Sequence, residues 1–174
     1  MSVYEFNGKT PRISASAFVH PDAVIIGDVT IGESCFIGPG AIIRGDFGPI
    51  TLGAGVSFQD NAVIHVDIGS KAVIEDDVIV GHGALLHDVH ILPRTIIGMG
   101  AVLMFNVICE EDSFVAAGSV VMQGLRVPAG TIVGGNPAKI IKKASERNIR
   151  ATAEGVSLYR ELSRTYRETM KKIA

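Results

Sequence analysis

The chain holds five histidines, and three of them, His82, His87 and His90, fall within the stretch VGHGALLHDVHIL, Val80 to Leu92. A fourth, His65, stands 22 residues before His87. Three imidazoles with an open fourth position make a catalytic rather than a structural zinc site, and the same ligands also suit iron or cobalt. Whether such a set forms depends on which rings the backbone brings together. Spacing alone leaves this open, because single histidines are commonly packed or solvated residues.

The elements that must position these rings repeat with a period of six. From Pro11 the chain divides into PRISAS, AFVHPD, AVIIGD, VTIGES, CFIGPG and AIIRGD, whose third positions are Ile13, Val19, Ile25, Ile31, Ile37 and Ile43. After the interruption FGP the register resumes as ITLGAG, VSFQDN and AVIHVD. After a second, IGSK, it returns as AVIEDD, VIVGHG and the shorter ALLHD, then runs unbroken from VHILPR to TIVGGN. Antiparallel hairpins would need two-residue turns between longer alternating runs, and the sequence has neither. Short equal units suit a solenoid: each hexad is one face and one corner of a three-sided prism. Three hexads, about eighteen residues, close a coil that stacks on the next at about 4.8 Å by parallel pairing. The predicted fold is an all-β parallel solenoid of about seven coils over residues 1–136, with third positions filling the interior and glycines turning the corners.

Residues 137–174 are expected to form a C-terminal helical tail that packs on the prism. Asn136 is the expected N-cap, with Pro137 at the first helical position. From Gly155 an apolar stripe of Tyr159, Leu162, Tyr166, Met170 and Ile173 recurs at helical steps.

On this frame the histidines can be placed. His65 is fourth in AVIHVD and His87 fourth in ALLHD, and their separation equals one coil plus the IGSK insertion. If the insertion loops out, the two rings stack on one face at about 4.8 Å, close enough to share a metal. His82 is fifth in VIVGHG, one face earlier, so the prism body separates it from that pair. A third ligand then has to come from a neighbouring chain, which asks for a cyclic homotrimer with one site at each interface. His20 and His90, second in its hexad, read as structural or solvated residues, and neither Cys35 nor Cys109 is placed to join the site.

Composition narrows the remaining classes. A net charge of −2 gives no reason to expect nucleic acid or an anionic membrane as partner. Two cysteines, no secretory start and no apolar run near membrane length predict a reduced, cytoplasmic setting without a disulfide.

RGDFG at Arg44 to Gly48, QDN at Gln59 to Asn61, His65, GHGALLH and GMGAV occur in this order on the hexad repeat. Together with YEFNGKTPRI and GNPAK they make nearly the whole chain similar to the γ-class carbonic anhydrase family. The resemblance implies a left-handed parallel β-helix, a homotrimer, and zinc bound by His65, His82 and His87. It implies that Arg44 and Asp46 help join subunits beside the metal and that Asp60 lies in the same polar shell. Gln59 would hydrogen-bond solvent on the metal, and Tyr159 of the tail would reach toward the pocket. The implied reaction is attack of zinc-activated water on carbon dioxide to give bicarbonate.

The chain departs from the family's efficient enzymes where proton transfer is concerned. Phe47 stands where they carry a glutamate after the aspartate, VDIGSK replaces an acidic loop, and Phe105 replaces an Asn or Asp. The RGDFG form resembles a branch linked with CoA-thioester metabolism, so hydrolysis of an acyl-CoA thioester at the same metal is the competing reaction. Hexapeptide acyltransferases share the prism but use one histidine as a general base without metal. Three histidines in register argue against that class. In a non-catalytic trimeric scaffold, metal would only staple the subunits.

Overall fold

The computed structural model describes residues 2–173, so the outermost residue of each expected span, 1–136 and 137–174, lies outside it. The third positions of the hexads form the core: Ile25, Ile43, Phe58, Ile64, Ile91 and Cys109 are all completely buried. Their column runs up the inside of a parallel β-solenoid of about seven turns. Each large aliphatic side chain removed from water there contributes about 1.5–3 kcal/mol, which offsets the ordering of coils that make few local contacts.

Three faces result. The first stacks Phe18–Val19, Phe36–Ile37, Ser57–Phe58, Ile79–Val80, Ile96–Ile97, Phe114–Val115 and Thr131–Gly134. The second stacks Val63–His65, Leu85–His87, Val102–Leu103 and Val120–Val121. The third stacks Ala72–Ile74, His90–Ile91, Ile108–Cys109 and Arg126–Val127. We call them the helix face, the histidine face and the rear face. The strands Val24–Ile31 and Ile42–Leu52 bend around one edge and pair on both the histidine and rear faces.

Corners are turned by more than glycine. Asn61, Asp88 and Asn106 all take left-handed backbone, at φ 57°, 53° and 59°, a conformation that Asn and Asp tolerate better than other non-glycine residues. The two interruptions of the repeat bulge from the same edge and touch: the Gly69 N–H donates to the Phe47 carbonyl at 3.4 Å. A Cβ on Gly48 would run into the Ser70 carbonyl oxygen, so the contact requires glycine there.

The tail differs from expectation at its start. Asn136 and Pro137 do not open a helix; Lys139–Lys143 returns as a strand antiparallel to Thr131–Gly134. The last coil leaves unpaired backbone groups that a returning strand satisfies, and the β-branched pair Ile140 and Ile141 suits that conformation. Helix α1 (Glu146–Thr169) begins instead at Ser145, whose hydroxyl accepts from the Asn148 N–H while the Asn148 side chain accepts from the Ser145 N–H. This reciprocal capping box satisfies two otherwise orphaned donors. Within α1, Tyr166 packs on Phe18 and Phe36, and Tyr159 on Phe36, with ring centroids 5.0–5.5 Å apart. The Ser163 hydroxyl donates to the Cys35 carbonyl, and Arg160 pairs with Asp77 at 2.6 Å. The end of the expected stripe does not pack: Met170 caps the helix and Ile173 lies beyond it, almost fully exposed. No helix among the described residues is long and apolar enough to cross a membrane.

Candidate metal centre

Strand pairing puts Arg44, His65 and His87 in consecutive coils of one column. The IGSK insertion loops out at the edge, and His65 Nδ1 faces His87 Nε2 at 3.1 Å. A carboxylate stands behind each ring. Asp46 Oδ1 lies 2.8 Å from His65 Nε2, and Asp88 Oδ2 lies 3.0 Å from His87 Nδ1. A neutral imidazole carries one proton, and an ionised carboxylate can only accept. With both rings neutral, each gives its N–H to the carboxylate behind it, and the two nitrogens that face one another both present lone pairs. Such an arrangement repels itself when empty and is relieved by a cation. The donor set fits a transition metal of the zinc type.

Asp46 also accepts from Arg44 Nη1 at 2.6 Å. Burial pushes its carboxyl up, but the bonds from Arg44 and His65 outweigh burial and hold it below the usual carboxylate range. Asp88 behaves alike: burial raises it, while the Asp67 N–H, the Ser70 hydroxyl and His87 together bring it lower than an ordinary aspartate. Both carboxylates are ionised at neutral pH.

The other expected site residues gather along a different edge, where the helix face meets the histidine face. His82 and Asp60 stack there in adjacent coils, with His82 Nδ1 3.2 Å from Asp60 Oδ2. Gln59 is buried beside them, and its amide donates to the Ser57 hydroxyl at 3.5 Å. Tyr159 comes down from α1 near the same edge. Burial, then the charge of Asp60, pushes its phenol above the ordinary value, so it stays protonated at neutral pH.

One chain thus carries two half-sites on opposite edges of the histidine face: Arg44, Asp46, His65 and His87 on one, Gln59, Asp60, His82 and Tyr159 on the other. Among the described residues no three His, Cys, Asp or Glu side chains of the single chain converge on a common point for an ion. The face between the half-sites has no helix over it and is apolar. Val24, Ile42, Val63, Val102 and Val120 are partly exposed along it, and Leu85 is 46% exposed. Two aromatic rings frame the paired histidines, Phe47 with its centroid 5.4 Å from His65 and Phe105 with its centroid 4.3 Å from His87.

Sequence reasoning placed His65 beside His87 but missed Asp88. The available signal was an aspartate directly after a histidine in the one shortened unit, ALLHD. His90 is paired with Glu75 at 2.6 Å on the rear face, and His20 lies near Asp22 in the early coils, both away from the two half-sites.

The fold defines a hexapeptide-repeat solenoid protein, and two of its edges carry histidines. A family model described as bacterial transferase hexapeptide (six repeats) matches residues 10–45. The chain is 37% identical over 172 residues to gamma carbonic anhydrase 1, mitochondrial, of Arabidopsis thaliana, an alignment covering 95% of this chain and 62% of the plant protein. It therefore spans about three fifths of the length of that relative. Over 163 residues it is 36% identical to the carnitine operon protein CaiE of Proteus sp., covering 94% of this chain and 83% of that protein. The crystal structure of a hexapeptide transferase family protein from Anaplasma phagocytophilum superposes with a TM-score of 0.92 at 34% identity, covering 95% and 98% of the two chains. The chain belongs to the hexapeptide-repeat family that includes the γ carbonic anhydrases and the CaiE proteins.

Proposed function

We propose that the chain is a γ carbonic anhydrase-like metalloenzyme that works as a cyclic homotrimer. The observation that carries this reading is that His65 Nδ1 and His87 Nε2 face one another at 3.1 Å, each ring backed by a carboxylate. The third imidazole, His82, sits on the opposite edge of an uncovered apolar face. Turning that face toward a threefold axis buries it among three copies and carries the His82 edge of one copy to the His65 and His87 edge of the next, a contact between unlike edges that closes as a ring of three.

A zinc ion held by these three imidazoles would supply Lewis acidity able to activate water toward an electrophilic carbon at neutral pH. The protein's own groups do the rest. Arg44 holds Asp46, which holds the His65 ring, and the exposed part of the Arg44 guanidinium is free to meet a neighbouring chain. Gln59 orients solvent or substrate through its amide, Asp60 fixes His82, and the neutral Tyr159 hydroxyl donates into the same pocket. Carbon dioxide, hydrated reversibly to bicarbonate, is the substrate that the resemblance to γ carbonic anhydrases supports.

The aromatic frame favours a second reaction at the same centre. Phe47 and Phe105 stand against the two histidines, where a carboxylate or amide would assist proton transfer, and give the site apolar walls suited to an acyl chain. Hydrolysis of an acyl-CoA thioester uses the same activated water. The deciding experiment is a screen of the metal-loaded protein against carbon dioxide and a panel of acyl-CoA thioesters, alongside metal content per chain and oligomeric mass. Metal near one equivalent per chain in a trimer is expected; a trimer without metal that transfers acyl groups would place the chain with the hexapeptide acyltransferases instead.

A further inference from the structure

Asp88 is held from two directions. Oδ1 accepts the Asp67 backbone N–H at 2.8 Å and Oδ2 lies 3.0 Å from His87 Nδ1, while the Ser70 side chain helps to keep the carboxyl below its ordinary value. The residue is 6% exposed and takes φ 53° at the corner after the shortened unit. A corner role explains the backbone conformation but not the bond to the ring. The Asp67 N–H and the Ser70 side chain belong to the loop 67–70, which overlaps the insertion 68–71 that offsets His65 from His87 by more than one coil. That loop is therefore more than extra chain bulging from the edge. It immobilises the carboxylate, and the carboxylate faces only one nitrogen of His87.

We infer that Asp88 is a positioning residue: clamped by loop 67–70, it fixes the His87 proton on Nδ1 and so keeps Nε2 as an electron-pair donor facing His65. The tautomer follows from the chain's own hydrogen bonds, while its use toward a metal rests on the reading given under Proposed function. A ring whose far nitrogen is held by a buried carboxylate is fixed in orientation as well as in tautomer, and loss of such a partner typically lowers metal affinity by about 10–100-fold.

The test uses the full chain with ¹⁵N-labelled histidine, in wild type and in Asp88→Gly, Asp88→Asn and Ser70→Ala. Long-range proton–nitrogen NMR on the metal-free protein reads the His87 tautomer, and competition with a chelator reads zinc affinity. Glycine accepts the left-handed corner and removes the carboxylate; asparagine offers one acceptor oxygen for two donors, and with the fixed Asp67 backbone N–H taking it the amide N–H turns to His87 Nδ1. Wild type is expected to keep the proton on Nδ1. Asp88→Gly and Asp88→Asn should move it to Nε2 or to a mixture and weaken zinc binding by about 10–100-fold. Asp88→Asn carries the test if the glycine variant does not fold, and Ser70→Ala should shift both readouts less. If Asp88→Gly and Asp88→Asn keep both the tautomer and the zinc affinity of wild type, the inference is overturned. If the tautomers separate as expected but wild type binds no zinc, the positioning role stands and the metal reading falls.

Discussion

An imidazole offers a lone pair in a chosen direction only when something else takes its proton. In this chain Asp46, Asp88 and Asp60 each stand behind one histidine, His65, His87 and His82; His90 is backed by Glu75 in the same way and is set apart only by its place on the rear face, away from the other rings. Phe47 contributes at this scale by what it lacks. In the metal-loaded protein, Phe47→Glu is expected to raise carbon dioxide hydration several-fold at low buffer concentration and to matter less when buffer carries the proton. Equal rates for variant and wild type in both conditions would show that Phe47 does not limit proton transfer.

The two cysteines give a separate test of burial. Burial pushes the Cys35 thiol up to about 11 and the Cys109 thiol to about 12. Both folded values lie above that of an unfolded thiol, so their contribution to stability is complete below about pH 8.5 and is lost as pH rises toward the folded values. Denaturant unfolding should lose on the order of a few kcal/mol between neutral pH and pH near 10.5. The slope should flatten in the Cys35→Ala, Cys109→Ala double variant; an unchanged slope there would mean other groups set the alkaline limit.

Among the elements, the coils are set by third-position burial, but the edge that carries the paired histidines is set by two insertions leaning on each other. Gly48 is where they meet, and its replacement tests that contact. Gly48→Ala forces a methyl against the Ser70 carbonyl and should cost about 1–3 kcal/mol of stability, as overpacking does. Because the same loop holds Asp88 through the Asp67 N–H, the same variant should weaken zinc binding. Calorimetry and zinc titration together check this: a stability loss with unchanged zinc affinity would show that the loop's fold and the carboxylate it holds are independent. Helix α1 belongs to this scale too. It anchors through Tyr159, Ser163 and Arg160 on the helix face and leaves the histidine face uncovered.

For the whole molecule, the separation of the half-sites makes a prediction about mixtures. His65→Ala chains keep His82 but break the pair, and His82→Ala chains keep the pair but lack the third ring, so trimers of either variant alone should hold no intact site. A mixed ring of three always contains one junction where an intact pair meets an intact His82. Unfolding and refolding the two variants together should restore metal binding and activity to at most about one third per mixed trimer, as ligands shared between subunits of a closed ring require. Mixed trimers as inactive as their parents would show that the three imidazoles do not meet across an interface.

The sequence by itself determined the repeat, the buried column and the stacking of His65 on His87, because each rests on local periodicity and simple counting. A third position every six residues points inward whatever the rest of the chain does, and one coil plus an insertion returns a residue to the same column. It also showed that His82 lies on another edge. Tertiary structure decided what depends on contacts between distant segments. The helix starts at Ser145 rather than Asn136, because the exposed end of the last coil recruits Lys139–Lys143 as a strand before any helix can form. Met170 and Ile173 keep helical spacing in the sequence, yet the helix ends before the second of them and gives neither a surface to cover. The carboxylate behind His87 appears only once the loop 67–70 folds over Asp88, since the directions of its donors come from backbone that the hexad pattern does not describe.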